Sequence, residues 1–402
     1  MPTLQGGLQI RKDREDKRAK HTRLDINRKR GDFPVKSANT SGSDNTEIEI
    51  AAKQMDRTVI NQHTIHIWPH RLREILANPT AHQKAKDTIR NALVPTGKRS
   101  INVVYPLLLS RKVANEPVLQ PFPRPNEKMM EKLFDLFDVE NTDVLVTPVA
   151  LDNTYEMEWV NLGAKVFNSR RPDYLKDFKL SGLVPSKVSE GTAQSMCATY
   201  LRNGIDSLTF DFAGRRLREG WMRGIIDSTS STWDDLLIFG TNVPYFNWHG
   251  TFRNPIMPMY DLLTSVYGFD SFSGITVGYN EPEDPAKTAK KITRKRYCLT
   301  DTYGAYNKDG LATLLETMKP RCQCPVCRRT ATPLDLYRRD ATVYDLNNLT
   351  SDLKVHRLHV THDEMREACS LIDRGKYHEH LSDKREASNE LQSILDAIKP
   401  GS

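Results

Sequence analysis

Residues 182–239 read GLVPSKVSEGTAQSMCATYLRNGIDSLTFDFAGRRLREGWMRGIIDSTSSTWDDLLIF, and their alternation decides the fold. Three short apolar runs, Gly182–Val188, Ser207–Phe212 and Leu236–Phe239, are separated by amphipathic stretches at Thr192–Asn203 and Arg215–Ile226. Strand, helix, strand, helix, strand in that order implies a parallel sheet whose crossovers are helices. Upstream the pattern continues through candidate strands at Thr58–Ile67, Ile101–Leu109, Val144–Val149 and Ala164–Phe167, with a helix at Glu127–Phe137. Downstream a short strand leads to Phe269. About eight such units over roughly 220 residues predict an α/β protein with a closed (β/α)8 TIM-type barrel over residues 56–285. An open doubly wound sheet is the alternative. It is disfavoured because no glycine-rich phosphate loop follows the first clear strand. Barrel chemistry sits at the carboxyl ends of the strands, so Asp152, Ser186, Asp211, Gly240 and Asp270 become candidate site residues.

The charge is unevenly placed. The chain of 402 residues carries a net +7, while Arg11 to Arg30 alone holds ten Lys or Arg against four Asp or Glu, a surplus of six. Residues 1–55 are polar and without helical or strand period, and read as a basic, disordered arm. Such an arm either solubilises or contacts phosphates. A second basic run, Lys290, Lys291, Arg294, Lys295 and Arg296, lies in the body of the chain and is a candidate nucleic-acid contact. No apolar run reaches the roughly 20 residues that cross a bilayer, and MPTLQGGLQIRKDRED lacks the apolar core of a secretory signal, so a cytoplasmic protein is expected.

Three of the six cysteines fall in Cys322-Gln323-Cys324-Pro325-Val326-Cys327. A disulfide framework would spread them, whereas C-x-C-x-x-C lets one tight turn offer three thiolates to zinc. The fourth ligand must come from elsewhere: His356, His359, His362, His378, His380 or Cys369. Three thiolates and one further ligand fill a tetrahedron, which makes the metal structural. Residues 286–402 are expected to form a zinc-binding subdomain with C-terminal helices that complete the barrel.

The order Phe269-Asp270-Ser271, Arg296-Tyr297, Pro320, CQCPVC and His356-Arg357-Leu358-His359-Val360-Thr361 resembles the tRNA-guanine transglycosylase family, above all its archaeosine-making branch. Leu237-Ile238-Phe239-Gly240 is similar to the family strand before the nucleophile, and the resemblance covers residues 234–380. It implies that Asp270 is the nucleophile, that Cys322, Cys324, Cys327 and His356 hold zinc, and that the protein pairs with a second copy of itself. The family's D-S-G-G-F-Q segment is not found, and Val184-Pro185-Ser186 stands where a glutamine is expected. These departures are similar to the DNA-directed branch, which exchanges guanine for a 7-deazaguanine such as preQ0, with exchange on tRNA or an inactive nucleic-acid-binding relative as alternatives.

Replacing a base breaks the C1′–N9 bond while a carboxylate holds the sugar covalently, the role expected of Asp270. The base pocket needs a carboxylate that accepts from the purine N1–H and amino group, with Asp152 first and Asp211 second as candidates. Gly240 would let backbone approach the base, and Ser186 ends a neighbouring strand. Tyr245, Phe246, Trp248 and His249 are candidates for stacking on a base taken out of the duplex.

Overall fold

The computed structural model describes residues 9–16, 19–26, 29–39, 59–93, 100–109, 121–151, 155–174, 178–214, 219–244, 254–274, 295–318, 322–337, 343–384 and 386–387. The chain begins with three strands, β1 (Gln9–Asp16), β2 (Ala19–Ile26) and β3 (Lys29–Phe33), paired antiparallel in that order. Strands β4 (Val35–Lys36) and β5 (Ala38–Asn39) follow, separated only by Ser37. Next come β6 (Val59–Ile67), helices α1 (Pro69–Ala77) and α2 (Pro79–Ala92), β7 (Ser100–Leu109), α3 (Glu127–Phe137), β8 (Val144–Val146) and β9 (Val149–Leu151). The alternation continues with α4 (Glu156–Tyr174), β10 (Lys179–Pro185), α5 (Glu190–Arg202), β11 (Ser207–Asp211), α6 (Glu219–Ser228) and β12 (Leu237–Val243).

The result is an α/β protein with a parallel sheet flanked by helices. Strands β11 and β12 are buried at every residue, as strands covered by helices must be. The helices start where a side chain satisfies the free N–H groups of the first turn. Asn78, Asn126 and Ser189 accept from Thr80 and Ala81, from Met129 and from Thr192. The sheet order runs β4-β14-β12-β11-β10-β8-β7-β6-β5, where β14 is Ser271–Gly274, so its two ends are the two halves of the single segment 35–39. Hydrogen bonds also cross between strands that are not neighbours. The Tyr105 hydroxyl on β7 donates to Asp211 on β11 (3.0 Å), and the Gln62 amide on β6 donates to Thr241 on β12. Such contacts require a sheet that curls so that one face meets itself.

Two expectations change. The segment Ala164–Phe167 lies inside α4, where Trp159, Val160, Ala164 and Phe167 are buried at helical spacing. A short apolar run does not distinguish the two periods. The missing strand is 35–39, within the stretch expected to be an arm. Over residues 9–39 that arm is sheet in its described parts, so neither its disorder nor a boundary at residue 56 stands. Three of its lysines are used internally. Lys20 pairs with Asp270 (3.1 Å), Lys29 with Asp143 (2.6 Å) and Lys36 with Asp261 (2.5 Å).

After β12 the chain adds β13 (Ile256–Pro258), β14, β15 (Tyr297–Leu299), β16 (Gly304–Tyr306) and α7 (Lys308–Thr317). The long α8 (Val343–Asp373) and the short α9 (Tyr377–Ser382) follow. Strands β13, β16 and β15 form a separate antiparallel sheet over a second apolar cluster that includes Tyr297, Leu311, Val326 and Leu353. Helix α8 serves both cores: Leu349, Leu353 and Val355 belong to the second, Met365, Ala368 and Ile372 to the first. Among the described residues no helix is long and apolar enough to cross a membrane.

On β6, burial pushes His63 down to about 4 from the ordinary 6.5. The folded chain therefore refuses a proton that the unfolded chain accepts between those values. Stability is expected to fall as the pH drops from 6.5 through about 4. Urea denaturation on both sides of that window should show a smaller fall in His63→Gln than in the wild type.

Candidate metal centre and candidate active site

The C-x-C-x-x-C turn brings Cys322, Cys324 and Cys327 to one point, and α8 delivers His356 to the same point. The His356 Nδ1 atom lies 3.5, 3.4 and 3.5 Å from the three sulfurs in chain order. Bonds of about 2.3 Å to sulfur and about 2.0 Å to nitrogen in a tetrahedron give an S···N edge of about 3.5 Å, so the spacing fits an ion at the centre. The surrounding groups agree. Cys324 N–H points to the Cys322 sulfur and Cys327 N–H to the Cys324 sulfur, both at 3.4 Å, and the Tyr297 hydroxyl lies 3.1 Å from the Cys327 sulfur. His356 Nε2 donates to the Cys298 carbonyl (2.8 Å), which frees Nδ1 as the ligand atom, and the ring stacks on Tyr297 at 4.0 Å. These four residues can hold a metal ion such as zinc. His359, one turn further along α8, is outside the set.

Asp270 occupies the opposite kind of place from the one expected. It immediately precedes β14, at the amino end of the sheet, because the strand begins at Ser271 rather than ending at Phe269. The side chain is fully buried, its Oδ2 accepts the Ile238 N–H (2.7 Å), and Lys20 faces it while also donating to the Leu236 carbonyl. Burial raises its carboxyl above the ordinary range, against the pull of Lys20 and the Ile238 N–H. The carboxylate is thus closed beneath the sheet by a lysine, at the end opposite to the one where a barrel places its chemistry.

Asp211 does stand at a carboxyl end, as the last residue of β11. Its Oδ1 accepts from the Ala213 N–H and from the Asn242 amide, both at 2.8 Å, and its Oδ2 from the Tyr105 hydroxyl at 3.0 Å. The backbone closes the clasp: Gly214 N–H donates to the Asn242 carbonyl (3.0 Å) and Ser186 N–H to the Asp211 carbonyl (2.9 Å). Ala213 and Asn242 both take left-handed backbone, at φ 51° and 53°. For residues other than glycine this costs roughly 1–2 kcal/mol each, less for asparagine, and it persists only where the surroundings hold it. Burial raises the Asp211 carboxyl, while Asn242, the Ala213 N–H and Tyr105 pull it back. Thr241 beside it takes hydrogen bonds from Gln62 and from Ser273 (3.5 Å), so this end of the sheet interior is polar where barrels ordinarily carry branched apolar side chains.

The other candidates divide. Ser186 is brought to Asp211. Gly240 lies inside β12, and a Cβ there would meet Val243, Phe212 and Phe269 at 3.2–3.3 Å, so the glycine serves packing on the helix-covered face. Arg296 is buried, and its guanidinium donates to the carbonyls of Asn254 (2.8 Å) and Ala305 (3.0 Å), which removes it from the phosphate-binding candidates. Lys295 remains half-buried, its carbonyl taken by the Tyr337 hydroxyl (3.1 Å). Lys290, Lys291, Arg294, Asp152, Tyr245, Phe246, Trp248 and His249 lie outside the described residues. Tyr105 and Gln62 were not read from the sequence because their partners lie on non-neighbouring strands, and Asn242 because it sits in the mainly apolar run of β12. No protein-family profile matches the chain, and no curated protein matches it.

Proposed function

We propose that the chain is a nucleic-acid base-exchange enzyme, a transglycosylase that replaces guanine with a 7-deazaguanine base, with duplex DNA as the substrate to test first. In this reading the segment 35–39 closes the sheet into a (β/α)8 barrel, and four protein ligands leave zinc no open position, so the metal is structural. The observation that carries the reading is the clasp holding Asp211 at the carboxyl end, where a parallel sheet of this kind places its chemistry. The ordered zinc motif, with its four ligands assembled, supports the resemblance.

Asp211 accepts from the purine N1–H and exocyclic amino group. The attacking carboxylate is Asp270, as the resemblance implies, or Asp152, which follows β9 in the sequence. In the first step the carboxylate oxygen bonds to C1′, and the C1′–N9 pair leaves with the old base. In the second the incoming base, deprotonated at N9, bonds to C1′ and releases the carboxylate.

Nucleoside mass analysis after incubation with duplex DNA, folded tRNA and a 7-deazaguanine base tests this. The expected product is a deazadeoxyguanosine, absent with Asp211→Asn and with whichever of Asp270→Asn and Asp152→Asn removes the attacking carboxylate. A product confined to ribonucleosides moves the substrate to RNA, and no product in either pool overturns base exchange.

A further inference from the structure

We propose that Tyr105 is a positioning residue, whose hydroxyl aims the Asp211 carboxylate at the base entering the carboxyl end of the sheet. The proposal rests on the base-exchange reading above. A carboxylate offers about four acceptor positions. Three are filled here, two on Oδ1 by groups from the ends of β11 and β12, and one on Oδ2 by Tyr105. The open position is therefore on Oδ2, the oxygen that Tyr105 alone holds among the described contacts. The two Oδ1 donors are local and travel with the loop ends. Tyr105 comes from β7, with β10 and β8 between it and β11 in the sheet order, so it ties the carboxylate plane to the opposite wall. A phenylalanine would fill nearly the same volume without leaving a hydroxyl to satisfy, so what tyrosine adds at this fully buried position is the donor. The left-handed backbone at Ala213 and Asn242 is a second sign that this corner is held against a cost.

The test uses the metal-loaded full chain and two readouts. One is titration of the Asp211 carboxyl by NMR with 13C-labelled aspartate, the signal being assigned by its loss in Asp211→Asn. The other is calorimetric binding of free guanine across the pH range. Tyr105→Phe should move the Asp211 titration upward and weaken guanine about tenfold, as expected for one hydrogen bond to a charged group. The pH at which binding is lost on the acid side should move up with the titration. Should Tyr105→Phe not fold, 3,5-difluorotyrosine placed at position 105 keeps the ring and strengthens the donor, and should move the titration down. A folded variant with an unmoved titration, or with unchanged guanine affinity, overturns the positioning role. A wild type that binds neither guanine nor a 7-deazaguanine, while the titration still responds to Tyr105, overturns the base-exchange reading and the role that depends on it.

Discussion

Withdrawing the metal from Cys322, Cys324, Cys327 and His356 is expected to melt the C-terminal subdomain and to lower the melting temperature of the whole chain by on the order of 10 °C. The second apolar cluster is small, and Cys324 is one of its buried members, with Cys322 and Cys327 packed against it. Structural zinc contributes about 10 kcal/mol or more to the folding of isolated zinc peptides, more than a cluster of this size supplies alone. The loss should spread because α8 carries other fastenings beyond His356. Arg357 pairs with Asp261 (2.5 Å), which also holds Lys36. His362 Nε2 donates to the Lys36 carbonyl (3.0 Å), and Asp373 takes His21 (2.9 Å). A metal held by these four residues would thus secure the helix that secures the segment 35–39, where the two ends of the sheet order meet. Metal analysis should find one zinc per chain. Hydrogen exchange after chelation should open residues 297–306 and 349–358 before β11 and β12. A chelated, metal-free protein with unchanged melting would show that the four residues fold without an ion.

The metal centre could be read from the sequence because three ligands share one turn, and the fourth was selected by a motif. Strands β10 to β12 could be read because each is a short, mainly apolar run between helical stretches, and α3 matched residue for residue. The failures have a common cause in partners far along the chain. Lys20 and Lys36 look like solvated charges until Asp270 and Asp261, more than two hundred residues away, are brought against them. Residues 35–39 hold two short strands with a buried lysine and a buried serine side by side, which no alternation rule selects. For Asp270 the difference is one of position along a strand. Starting β14 at Ser271 instead of ending a strand at Phe269 moves the aspartate from one end of the sheet to the other.

Replacing Asp270 by alanine is expected to cost about 3–5 kcal/mol, because it leaves the Lys20 ammonium buried without its counter-charge. The two side chains are 2% and 0% exposed, so water does not repair the loss. Lys20→Met should cost a similar amount for the mirrored reason, now leaving a buried carboxylate without its counter-charge. The double variant Lys20→Met/Asp270→Leu removes both charges together and should recover most of the loss, since apolar replacement of a buried pair is often neutral. Urea denaturation of the wild type, Lys20→Met, Asp270→Leu and the double variant closes the cycle and gives the coupling energy directly. The same series separates two roles for Asp270. A positioning pair beneath the sheet predicts a large coupling, and base exchange per folded molecule that survives in Asp270→Asn. A nucleophile predicts the reverse, a folded Asp270→Asn of near wild-type stability that exchanges nothing. Finding that second pattern would assign the chemistry to Asp270 and would require the amino end of the sheet to open.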